Sequence, residues 1–180
     1  MAFQLVNPLL TGEFTRVLLE LRWGDMDAYG HINNVTQMRL LEEARVRAFG
    51  SPTADRDAAV VPGPHGTVPS CVGIEIPPVF AEVAHTHDIL VASHAIEYRA
   101  PIPFREGPVA IDTVISKVAP VVMTVGYVIA EPDGSKAYTV AETDVVFVDR
   151  ESGRAQRLQE EHAQALRSVV NPGPPMRRRK

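Results

Sequence analysis

The segment Asp25-Met26-Asp27-Ala28-Tyr29-Gly30-His31-Ile32-Asn33-Asn34 crowds carboxylates, a histidine and two amides around one glycine. A strand-like alternation precedes it, and a helix-like run through Glu42-Glu43-Ala44-Arg45 follows it. The N–H groups at a helix start have no intrahelical partner and stabilise negative charge. A carboxylate in such a turn is an acid, a base or a nucleophile beside a ready-made oxyanion site. The competing reading is that Asp27 only caps its own turn, as Asx side chains do. The residue types alone leave both open.

The elements that must position this turn are legible as periodicities. Over residues 14–23, Val17, Leu19, Leu21 and Trp23 share one face, and Arg16, Glu20 and Arg22 lie mostly on the other. That is a half-buried strand. Asn33 or Asn34 is a good N-cap, and Asn34 to Gln37 has the spacing of a capping box. From Val35 to Phe49, Val35, Met38, Leu41, Ala44 and Ala48 recur at helical spacing, with Leu40 and Phe49 widening the stripe. Gly50 and Pro52 then stop the helix.

Residues 51–80 hold six of the 15 prolines and read as a long loop with one short element, either a lid or flap or a plain surface loop. Four strand patterns follow, at about 88–99, 108–118, 120–131 and 136–149, and Pro132-Asp133-Gly134-Ser135 makes a hairpin of the last two. Residues 156–169 predict a short helix. Strand, long helix and a run of antiparallel strands make an α+β domain.

Charge narrows the partners. The formal net charge is −4, but Arg177, Arg178, Arg179 and Lys180 are four of 18 bases. Without them 14 bases face 22 acids, so the body stands at −8 and nucleic acid is disfavoured as a partner. Residues 171–180 predict a disordered basic tail after a single domain of residues 1–170. One cysteine, Cys71, excludes an intrachain disulfide and a cysteine metal cluster. His85 and His87 lack an evident third ligand, so no metal is expected. No signal peptide and no run of about 18 apolar residues is found, so neither a membrane partner nor a location other than the cytoplasm is expected.

Asp-x-Asp-x-x-Gly-His-x-Asn-Asn followed by Glu-Glu-Ala-Arg resembles the signature of the 4-hydroxybenzoyl-CoA thioesterase family, within the hotdog-fold acyl-CoA thioesterases. The resemblance spans roughly residues 14–150, continues through Glu97-Tyr98-Arg99-Ala100-Pro101 and Val145-Val146-Phe147-Val148-Asp149, and leaves 51–80 as an insertion. It implies a sheet wrapped around one long helix, a homodimer or homotetramer with the site at the subunit interface, no cofactor, and hydrolysis of an acyl-CoA thioester. Asp27 matches the family's catalytic carboxylate, whether it attacks the thioester carbon or activates water. The Asn34 backbone N–H matches the oxyanion donor. His31 is placed to orient the carboxylate, donate to the carbonyl or help the leaving thiolate. Gly30, Asn33, Gln37 and Glu43 are the expected substrate-side residues, each with a structural alternative: turn, cap, cap and exposed charge. Tyr98 and Pro101 read as packing. The chain departs from the family in carrying Gln37 and Leu40 where aromatics are usual, which alters pocket shape more than the reacting groups. The alternatives are an acyl-carrier-protein thioesterase or a non-catalytic acyl-CoA or acyl-carrier binding module on the same fold.

Overall fold

A computed structural model describes residues 5–50 and 71–177. The elements run β1 (Thr15–Glu20), a 3-10 turn (Trp23–Asp25), α1 (Asn34–Phe49), β2 (Cys71–Gly73) and α2 (Val79–Val83). They continue with β3 (His87–Tyr98), β4 (Pro108–Val118), β5 (Val122–Ala130), β6 (Ala137–Asp149) and α3 (Glu160–Arg167). Among the described residues the strands form one antiparallel sheet in the order β2-β1-β4-β5-β6-β3. This is the α+β, hotdog arrangement, with α1 against the inner face of the sheet.

Alternation explains the inner core. Val17, Leu19, Leu21, Ile111, Met123, Val125, Tyr127 and Ile129 meet Leu40, Leu41, Ala44 and Phe49 of α1 in one cluster. Phe49 stacks on Phe80 of α2, which meets Phe147 edge-on. Three expected members are absent from it, the partly buried Met38 of α1 among them. Trp23 is exposed because the chain leaves the strand after Glu20 and enters the 3-10 turn, and Val35 is exposed in the first turn of α1.

The outer face is also apolar, and the chain covers it with its own ends. Val114, Val128, Ala130 and Val140 pack under Leu10 and Phe14, joined by Leu5, Leu9 and Met176. That cover buries Arg16, which the alternation places on the polar face of a half-buried strand. Its guanidinium is buried and grips Asp112 through Nε and Nη2, both at 2.6 Å. The Pro132 carbonyl accepts from Nη1 and the Val6 carbonyl from Nη2, and Asn7 Nδ2 donates to Asp112 at 2.6 Å.

The C-terminal segment crosses the same face. Asn171 N–H donates to the Ile115 carbonyl, and Pro174 lies where a Cβ on Gly126 would stand. Arg99 donates to the Pro175 carbonyl, and the Arg177 N–H to Glu97. Residues 171–177, expected in a disordered tail, are thus fastened to the sheet; 178–180 lie outside the described residues. Of the expected 51–80 loop, 51–70 lie outside them too, and 71–80 hold β2 and the start of α2.

Candidate functional site

The turn before α1 is built around Asp27. Its Oδ1 accepts the N–H groups of Tyr29 at 2.8 Å and His31 at 3.1 Å. Its backbone N–H donates to the His31 carbonyl at 2.7 Å, and Gly30 N–H returns to the Asp27 carbonyl at 3.2 Å. Gly30 sits at φ +75°, the left-handed region that glycine enters without penalty. Nothing lies within 4 Å of a Cβ built there, so the backbone angle, rather than a close approach, calls for glycine. Asp25 closes the preceding 3-10 turn by accepting the Arg22 N–H at 2.7 Å.

The turn is moored at both ends. Ile32 N–H donates to the Ile102 carbonyl, Phe104 N–H to the Gly30 carbonyl, and Asn33 N–H to the Asp25 carbonyl. The N-cap is Asn33, whose Oδ1 accepts from Val35 N at 2.8 Å. Among the described residues, neither Asp27 Oδ2 nor the Asn34 N–H has a hydrogen-bond partner.

Asp27, His31, Ile32, Asn34, Gln37, Tyr98, Ala100 and Pro101 line one cavity of about 290 Å³. The structure therefore brings the three expected catalytic residues into one cavity, with Gln37. It does not place Gly30, Asn33 or Glu43 there: Gly30 shapes the turn, Asn33 caps the helix, and Glu43 pairs with Arg47 one turn on. Gln37 is not part of a capping box. Its side chain is buried, donating through Nε2 to the Ile32 carbonyl at 3.1 Å and accepting from Thr139 Oγ1 at 2.6 Å.

Tyr98 and Pro101, read from the sequence as packing residues, line the same cavity. Tyr98 Oη donates to the Asn34 carbonyl at 3.3 Å, and partial burial raises the phenol pKa, which keeps it a neutral donor. The signal in the sequence was their place at the end of a strand, where edge residues leave the core. His85, His87 and His94 do not converge: His85 precedes β3, His87 turns to Thr86, and His94 bonds Thr143 of β6.

A turn carboxylate with one oxygen pinned and one open, in a pocket with a helix-start amide, is the constellation that acyl-transfer chemistry needs. A sequence model described as the thioesterase-like superfamily matches residues 21–166. The chain belongs to that superfamily. Solved structures agree on the fold. YbaW, a probable thioesterase of Escherichia coli, is 18% identical, with 87% of this chain and 99% of that one covered at a TM-score of 0.63. A Thermus thermophilus thioesterase crystallised with coenzyme A and zinc is 20% identical over 86% and 92% of the two chains, at 0.60. A DHNA-CoA thioesterase of Staphylococcus aureus is 17% identical over 87% and 90%, at 0.61. No curated protein matches this chain. Among the described residues of this thioesterase-like protein, no helix is long and apolar enough to cross a membrane.

Proposed function

We propose that this thioesterase-like protein hydrolyses an acyl-CoA thioester to a free acid and coenzyme A. The observation that carries this reading is the pairing, in one cavity, of an Asp27 carboxylate with an open Oδ2 and the unpartnered Asn34 N–H at the start of α1. Water activated by Asp27, or Asp27 itself, attacks the thioester carbon. The carbonyl oxygen gains charge and is held by the Asn34 N–H, which a helix start makes electropositive. Collapse of the tetrahedral species expels the thiolate, with His31 in the same cavity to meet it. If Asp27 is the nucleophile, the product is a mixed anhydride that water then cleaves.

At about 290 Å³ the cavity holds the thioester and a small acyl group, not a whole acyl-CoA. The nucleotide end therefore lies on the surface. The site also borders the edge strand β3, through Tyr98. We place a second copy of the chain along that edge, in a homodimer that completes the pocket.

Asp27→Asn tests the reading. Asn keeps an oxygen for the Tyr29 and His31 N–H groups, so the fold should be retained. Turnover should fall by on the order of 10²-fold or more, the low end for a positioned acid or base. Thiol release from acetyl-, octanoyl-, palmitoyl- and benzoyl-CoA measures it. Wild-type turnover in the variant would remove Asp27 from the chemistry. Tight binding of acyl-CoA without hydrolysis by the wild type would favour a binding module.

A further inference from the structure

The first turn of α1 is tied to two neighbouring strands at once. Thr139 of β6 and Tyr98 of β3 are register partners, so their side chains stand on the same face of the sheet. Thr139 Oγ1 donates to Gln37 Oε1 at 2.6 Å, and Tyr98 Oη donates to the Asn34 carbonyl at 3.3 Å. Gln37 Nε2 reaches back to the Ile32 carbonyl at 3.1 Å, two residues before Asn34. Ile32 is itself held from the far side by the Ile102 carbonyl at 2.8 Å. Gln37 is 2% exposed and Thr139 0% exposed. Hydrogen bonds sealed from water in this way are costly to leave unmade, so they fix geometry.

We propose that Gln37 and Thr139 form a positioning strut that sets the Asn34 N–H against Asp27, and so sets the rate of the chemical step. The strut rests on the reading of this turn as a thioester-hydrolysing site. Both ends of the Gln37 carboxamide are engaged within the protein, so the strut acts through the helix start and not through contact with the thioester. Without it, the Tyr98 hydroxyl makes the one side-chain hydrogen bond left, among the described residues, between the first turn of α1 and the sheet, and small displacements of a reacting geometry are expensive.

Gln37→Met and Thr139→Val each cut the strut at near-constant volume. Initial rates are measured on octanoyl- and benzoyl-CoA, with the wild type and Asp27→Asn in the same series. Each single variant should lose about 10- to 100-fold in kcat. KM should stay within about twofold, the signature of an interaction that matters in the transition state. The double variant should be no slower than the slower single one, because both break the same connection. Thr139→Ser should keep wild-type kcat. Thr143→Val, at a buried threonine on the same strand that bonds His94, should lower stability while leaving kcat unchanged. If Thr139→Val does not fold, Thr139→Ala against Thr139→Ser makes the same comparison. An active wild type, a silent Asp27→Asn and strut variants with unchanged kcat would overturn the strut alone. So would losses confined to KM, or losses that multiply in the double variant. A wild type silent on every thioester would overturn the functional reading, and the strut's role with it.

Discussion

At the residue scale, the site turns on what each polar atom already holds. Asp27 Oδ1 serves the turn and Oδ2 is left open, so in the proposed mechanism the capping role and the acid/base role belong to one side chain. Gln37 answers differently from its sequence context. The Asn34-to-Gln37 spacing suits a capping box, but the amide turns inward to Ile32 and Thr139. Restoring an aromatic there with Gln37→Tyr would strand the Ile32 carbonyl and Thr139 hydroxyl and crowd a 2% exposed position. A loss of about 2–4 kcal/mol is expected from unmade hydrogen bonds and overpacking. Urea unfolding measures it; a loss below about 1 kcal/mol would show that Tyr finds room and that the strut is dispensable for folding.

At the element scale, the long strands and α1 were legible because one buried face imposes a period of 2.0 or 3.6. Bulkier residues recur at every second position from Val109 to Ile115 and from Met123 to Ile129, although the structure buries both faces of these strands. β2 was not legible: it is three residues long, and two of them are exposed. Nor was the burial of Arg16, since alternation reports that two faces differ and not what covers the second one. The strap of residues 5–14 supplies that cover. Asp112→Asn would leave the Arg16 guanidinium buried without a counter-charge, at a cost of about 3–5 kcal/mol. Guanidinium unfolding measures this, and a cost under about 1 kcal/mol would mean that water reaches Arg16. A second set of polar contacts joins α1 to β5 and β3 to β6. Arg45 Nη1 donates to Tyr127 Oη at 3.3 Å, and His94 bonds Thr143 at 2.9 Å. Burial and then Arg45 lower the His94 pKa from 6.5, against a smaller opposing effect of Glu42. The unfolded chain therefore takes up that proton first. His94 contributes stability that is full above pH 6.5 and is lost as pH falls through its folded value. His94→Gln should flatten the decline in melting temperature below pH 6.5, and an unchanged slope would exclude the histidine as its source.

At the scale of the whole molecule, the question is which surface a second copy takes. β5 is apolar on both faces, but segments near the chain's two ends cover the outer one. Among the described residues, β3 is a 12-residue edge strand with Leu90 49% and Val91 41% exposed. Long apolar edges invite pairing, and a lysine on such an edge discourages it. The wild type should sediment as a dimer at micromolar concentration and Val91→Lys as a folded monomer with weakened thioester turnover. A wild-type monomer of full activity would show that the pocket needs no second copy. The strand order has a further consequence, for the time course of folding. β4, β5 and β6 are joined by short hairpins, whereas β1 reaches β4 by pairing Val17 with Ile111, 94 positions away. Closing so long a loop is entropically slow compared with zipping a meander. The three-strand meander therefore has the head start, and β1 docks later with the turn and helix that follow it. Asp27 and Asn34 come together among the last parts of the chain to settle, so a newly made molecule is sheet-like before the candidate site exists.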